Sequence, residues 1–447
     1  MPLQRCAFNE SVRRASYLSS VPVAPSALPN PRTAVALLLL INLMNYVDRQ
    51  VLAAVEVKIG AEFAAAGSPI SDARMGLLST AFLVSYMFAS PLFGWFADRT
   101  SRWRIVAAGV FVWSLASGAS GLAQVYTALL ITRVFVGIGE AAYGPTAPTI
   151  ISDLYPVERR GSVLAWFYMA IPVGSALGYV WGGHLADLEG WGWRWAFYLS
   201  APPGILLAVW ALFMREPPRV RQARQATFAD LAILLRTPSY VYNTLGMTAM
   251  TFALGGLAFW MPRYISVYRG AGTLAEVGTK FGGITVVSGL VATLAGGLLG
   301  DKLRARFPGS YFLVSGIGML IGLPTFLAFL VVPFPYAWGL LFVAEFCLFF
   351  NTGPANTILA NVTHPSIRAS AFAVNILVIH LFGDAISPSL IGLLNDSTKS
   401  AELPVGHMNY SFGAGVSVAI LLSGIFWLLG TKHLQRDTEL APTRLAE

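Results

Sequence analysis

Twelve long apolar runs dominate this chain and leave it little freedom in how to fold. They lie near 33–55, 74–97, 104–122, 125–152, 161–186, 194–214, 240–266, 278–300, 310–332, 336–361, 368–394 and 410–430. A bilayer core is crossed by about 20 apolar residues in a helix. Inside lipid the backbone must satisfy its own hydrogen bonds, which a helix does within one segment. Hydrophobic residues make up 55% of the 447 and charged residues 12%, about half the charged share of a soluble domain. Mean hydropathy is +0.63. The runs are too long for barrel strands. The expectation is an all-α membrane protein with 12 transmembrane helices.

A net charge of +8 could suggest nucleic acid, but the placement of the basic residues argues otherwise. With the N-terminus in the cytoplasm, 21 of the 30 Lys and Arg fall on the inside, 7 outside, and Arg49 and Arg133 within the membrane. That bias puts both termini in the cytoplasm and accounts for the basic balance without a nucleic-acid partner. Residues 1–32 lack a compact apolar core with a small-residue cleavage site, so they read as a flexible cytoplasmic tail. Cys6 and Cys347, one in that tail and one in an apolar run, suggest neither a disulfide framework nor a metal site.

The chain repeats itself. "GPTAPTIISDLYPVERRGS" (144–162) can be laid on "GPANTILANVTHPSIRASA" (353–371), matching Gly144 to Gly353, Pro145 to Pro354, Pro156 to Pro365 and Arg159 to Arg368. The same offset carries Gly174 onto Gly383, Gly183 onto Gly392 and Asp187 onto Asp396. The expected organisation is an N-terminal six-helix bundle (33–214), a cytoplasmic central loop (215–239), a C-terminal six-helix bundle (240–430) and a cytoplasmic tail (431–447). Two such halves are the signature of a rocking transporter with its substrate site at the midplane between them.

Charges inside the apolar runs point to the work done there. "NYVDRQVL" (45–52) places Asp48 and Arg49 within the first run. A charge at the centre of a membrane helix costs about 2.5–3.5 kcal/mol on the insertion scale, so such groups tend to face a cavity and act there. Arg133, Gly137 and Glu140 are spaced to share one face of the fourth helix. Asp48, Arg49, Arg133 and Glu140 are expected to converge on the first-half wall of a cavity, the two acids exchanging arginine partners as protons come and go. A static cluster locking helix 1 to helix 4 is the alternative.

"GWFADRTSRWR" (94–104) resembles the cytoplasmic loop motif of the major facilitator superfamily, with Ser101 at its second glycine. "RVFVGIGEAAYGP" (133–145) resembles the helix 4 motif. "GSALGYVWGG" (174–183) resembles the helix 5 antiporter motif, with Tyr179 in place of its proline. Within the superfamily, "NYVDRQVLA", "GGLAFWMPRY" and "HLFGDAISPSLIG" (380–392) resemble the Spinster family of lipid transporters. The resemblance implies the major facilitator fold and a lysophospholipid or sphingoid-type substrate. It also implies that the loop after helix 2, with Asp98, Arg99 and Arg102, makes charge contacts across the halves as a cytoplasmic gate. Asp301 belongs to the weaker second copy of that loop. A positive-inside topology signal is the plainer reading of the same charges.

In the second half, Glu345, Asn351, Asn375, His380 and Asp384 are the polar residues of helices 10 and 11. With Arg49, Arg133 and Glu140 they are candidates for substrate binding. His380 and Asp384 are neighbours one turn apart; a hydrogen-bonded structural histidine is the alternative to a titrating one. Trp260 and Pro262 read equally as a helix break near an external opening or as an interfacial anchor.

The favoured reading is a proton-coupled carrier of an amphipathic lipid working by alternating access, not an enzyme. It is expected to be monomeric, without cofactor or metal, in a bacterial inner (plasma) membrane, with protons, lipids and a small lipophilic substrate as partners. The alternatives are a drug or organic-anion antiporter, a lipid-modifying enzyme and a transport-dead sensor. No Gly-Lys-Ser/Thr phosphate loop is present, which argues against direct ATP drive.

Overall fold

The protein is described from a computed structural model covering residues 30–155, 157–190, 192–217, 228–364, 367–400, 403 and 406–444. The N-terminal tail up to residue 29, residues 218–227 of the central loop and the last three residues lie outside these. Every regular element among the described residues is helical.

In the first half these are α1 (Pro31–Ala65), α2 (Asp72–Arg99), α3 (Arg102–Ser120), α4 (Tyr126–Tyr143), α5 (Thr146–Leu154), α6 (Val157–Asp187) and α7 (Gly192–Leu212). After the short α8 (Phe228–Leu235) come α9 (Pro238–Arg263), α10 (Leu274–Arg304), α11 (Ser310–Val331), α12 (Ala337–Phe349), α13 (Thr352–Val362), α14 (Arg368–Ile379), α15 (Ser387–Asp396), α16 (Met408–Phe412), α17 (Val418–Gly430) and α18 (Leu434–Leu440). Nine of the described helical stretches are long and apolar enough to cross a membrane. The three other expected spans, near 104–122, 125–152 and 161–186, are diluted by glycine, serine and charged residues, among them Arg133 and Glu140.

Local signals set the boundaries. Asn30 caps α1, with Pro31 at its first position. Ser71 caps α2 through the Arg74 amide, and Thr273 caps α10 through that of Glu276. The fourth run breaks at Gly144–Pro145 into α4 and α5. Its repeat partner breaks into α12 and α13 just ahead of Gly353–Pro354. The eleventh run kinks through a π-helical turn at His380–Asp384, where Gly383 takes φ −105° and ψ −105°.

Helices of the first half pack chiefly on one another (α1 on α6, α2 on α4, α3 on α4 and α7), as do those of the second (α9 and α11 on α17, α10 and α11 on α12). The main seams between the halves are α6 with α10, α2 with α15, and α1 with α9. The polar ties across these seams gather at one end of the molecule, that of Ala65, Asp72, Asp187 and Asp396. We call it the far end; the near end carries Pro31, Arg99 and Arg304. Glycine makes the far-end approach possible: a Cβ on Gly392 would lie 2.4 Å from the Asp72 carbonyl oxygen, and one on Gly183 2.5 Å from that of Leu274. Towards the near end, α2 leaves Phe88, Leu92 and Trp95 exposed.

Candidate functional site

The site's centre is an ion pair between α1 and α4. Arg49 donates to Glu140 Oε2 through Nε (2.9 Å) and Nη2 (2.8 Å). Its guanidinium also lies within 4.8–5.5 Å of the ring centroids of Tyr46, Phe82 and Tyr86. Glu140 is sealed, while the Arg49 side chain keeps 18% of its surface open. Each cation–π contact contributes about 0.5–2 kcal/mol depending on desolvation. Removing one partner of a buried pair costs about 3–5 kcal/mol, because the other charge is stranded. The result is a rigid aromatic-walled cation with one open side, suited to a negatively charged or strongly polar head.

Asp48 and Arg133 do not join this pair. Adjacent residues on a helix point about 100° apart, so when Arg49 faces α2 and α4, Asp48 turns into the first half. There it accepts from Ser117 (3.3 Å), with Ser200 alongside. Arg133 stands two turns from Glu140 on the same face, about 10 Å along the axis. It donates to Ser120 Oγ (2.6 Å) and lies over the Phe197 ring. Asp48 and Arg133 are both buried, and Arg133 feels the charge of Asp48 and Glu140 without touching either. The expected cluster of four is therefore a wall pair, Arg49–Glu140, backed by a sealed Asp48–Arg133–serine layer.

In the second half, His380 Nδ1 meets the Asp384 carboxylate at 2.9 and 3.0 Å, with both side chains partly open. Asn375 accepts from Thr244 (2.8 Å), tying α14 to α9. Asn351 donates to the Leu348 carbonyl (2.6 Å) at the break between α12 and α13. Glu345 is buried and accepts from Thr285 and Ser288, each at 3.3 Å. Trp260 is neither a break nor an interfacial anchor. It is buried, its indole donates to the Pro388 carbonyl (2.9 Å), and the helix runs on through Pro262.

At the near end Arg102 is buried and clamps α3 to Asp153 of the first half (2.6 Å) and to Glu216 at the start of the central loop (2.6 Å). Arg99 stacks on Trp95 at 4.0 Å, and Asp301 accepts from Tyr311 (2.7 Å). The Asp98 side chain lies outside the described residues.

A far-end network went unread in the sequence. Asp72 of the first half receives Arg263 (2.7 Å), Lys399 (2.8 Å) and Asn395 (2.7 Å) from the second. Buried Glu56 lies 3.7 Å from Arg263. Asp396 accepts the amides of Asp72 (3.0 Å) and Ala73 (2.8 Å), and Asp187 accepts that of Ala275 (2.9 Å). The only signal was the repeat register that pairs Asp187 with Asp396.

The model of the Major Facilitator Superfamily matches residues 38–388. Zebrafish (Danio rerio) protein spinster homolog 3 is 35% identical over 436 residues, 91% of this chain and 86% of its own. Human (Homo sapiens) protein spinster homolog 1 is 36% identical over 397 residues, 82% and 73% of the two chains. A crystal structure of a bacterial homolog of the human lysosomal transporter Spinster, inward-facing and unoccupied, superposes with a TM-score of 0.75 over 93% of this chain and 98% of that one, at 22% identity. The D-xylose–proton symporter shares the fold alone, with a TM-score of 0.70 at 17% identity over 91% of this chain and 99% of that one. The chain belongs to the major facilitator superfamily and, within it, to the Spinster family of transporters.

Proposed function

We propose that this protein moves an amphipathic lipid, of the lysophospholipid or sphingoid type, by proton-coupled alternating access. Its twelve spans form two pseudo-symmetric six-helix bundles with both termini in the cytoplasm. The conformation described is then the inward-facing one, closed at the far, external end. The Arg49–Glu140 pair carries the reading: a cation caged by three aromatic rings, open on one side, and tied to an acid that can take a proton. Protonation of Glu140 frees Arg49 for a polar lipid head, while the acyl chain lies along apolar wall. Return of the proton to solvent restores the pair and releases the head. Arg133, whose charge reaches Glu140 along the same helix, offers it a second partner as the halves rock, and the part-open His380–Asp384 pair is the second half's candidate on the route.

Arg99, Arg102 and Asp301 gate the cytoplasmic side when the near end closes. The setting is a plasma membrane, as a monomer. The test is flux into proteoliposomes of labelled lysophospholipid and of a lipophilic cation, each with and without an imposed pH gradient. Gradient-driven movement of the lysolipid supports the reading, and gradient-driven movement of the cation alone favours a drug antiporter.

A further inference from the structure

We propose that Glu345 is a second proton-carrying site, closed in this conformation and opened when the far end opens. The inference rests on the alternating-access reading above.

Glu345 lies on α12 with 3% of its surface exposed. Among the described residues its hydrogen-bond partners are the hydroxyls of Thr285 and Ser288 on α10, at 3.3 Å each. Charged O–H···O⁻ bonds run at about 2.5–2.7 Å, so these are the contacts of a weakly held group. No Lys, Arg or His among the described residues forms an ion pair with it. An ionised carboxylate stripped of water costs several kcal/mol unless paired, and one added proton removes that charge.

Among the described residues the surroundings offer no other titratable relief. From α6, Tyr179 feels the charge of Glu345 but donates its own hydroxyl to the Ala258 carbonyl. On α12 itself, Cys347 turns to α11, where Gly322 lies opposite. Lys280 of α10 stands over Trp338, about two turns nearer the far end.

Position adds the coupling. Thr285 and Ser288 sit between Gly282, against Ala176, and Gly289, near Pro172, on the part of α10 that forms the seam with α6. Separating α6 from α10 at the far end wets this segment and with it the carboxyl behind it. Glu140 is tied to Arg49, whose side chain is part-open in this conformation; Glu345 belongs to the wall exposed next.

Infrared difference spectroscopy on the reconstituted full-length protein tests this directly. Wild type minus Glu345→Gln is expected to show the carbonyl stretch of one un-ionised carboxylic acid. Ser288→Ala, which removes a donor, should shift that band rather than abolish it. In Gly183→Ala, whose Cβ would meet the Leu274 carbonyl oxygen at 2.5 Å and so prop α6 from α10 at the far end, the band should become sensitive to external pH. Transport by Glu345→Gln is expected to carry fewer protons per lysolipid than wild type. Absence of the band, its loss on adding Na⁺ at fixed pH, or pH insensitivity in the propped variant overturns the proposal. A wild type that moves lysolipid without protons would sink the transport reading, and the band would still report on Glu345.

Discussion

Asp396 stands to the start of α2 as Asp187 stands to the start of α10: each carboxylate leaves its own half and accepts from the first turn of the other, Asp396 two amides and Asp187 one. The pair occupies one register of the internal repeat, each four residues after a glycine that admits the partner backbone. A carboxylate at a helix N-terminus meets unpaired N–H groups and the positive end of the dipole. The far end is thus held by two copies of one device, with Lys58 near Asp187 and Lys399 on Asp396.

Asp396→Asn should loosen this closure. Loss of a cap contributes about 1 kcal/mol, which is roughly a fivefold change in the ratio of closed to open forms. Spin labels or reactive cysteines placed on the 66–71 and 397–400 segments would read it as a larger far-end-open population. Gly392→Ala should act more strongly, since its Cβ meets backbone rather than a movable side chain. An unchanged distance distribution in both variants contradicts the assignment.

Arg102→Ala should destabilise the first half without altering the choice of substrate. It strands Asp153 and Glu216, whose partial exposure softens the loss to about 1–3 kcal/mol. Thermal unfolding in detergent should shift downwards by several degrees, with lysolipid affinity in the surviving protein near wild type.

Arg49→Lys keeps the charge but loses the planar fork and ring stacking that arginine provides. Binding of lysolipid should weaken by about tenfold or more, the equivalent of about 1.4 kcal/mol. Tryptophan-quenching titration would measure it, and wild-type affinity in the lysine variant would remove Arg49 from the headgroup site.

Asp48→Asn tests the sealed layer. The amide fits the same space and can still accept from Ser117, so the protein should fold. If Asp48 sets the field that holds Arg133 ready for Glu140, flux driven by a pH gradient should fall several-fold while exchange of lysolipid without a gradient persists. Equal loss of both modes would mark Asp48 as purely structural.

Helix type and the repeat were legible because lipid leaves the backbone one local solution and because glycine and proline punctuate both halves at matching places. Arg49 and Glu140 were legible because an ion inside an apolar run needs a partner. The split between Arg49 and Asp48 was not, since it depends on the rotation of α1 against the helices packed around it. Asp72, Arg263 and Lys399 sit at helix ends where charge is ordinary, so only their meeting across the seam distinguishes them. The buried tie from Trp260 to Pro388 is likewise a product of tertiary packing.

The most direct measurement is proton movement that accompanies lysolipid transport in proteoliposomes carrying an internal pH dye, compared between wild type and Glu140→Gln. Wild type should change the internal pH when lysolipid is added, and Glu140→Gln should move lipid with that signal lost or strongly reduced. An equal pH signal per lipid moved in both proteins would contradict the role given to the Arg49–Glu140 pair.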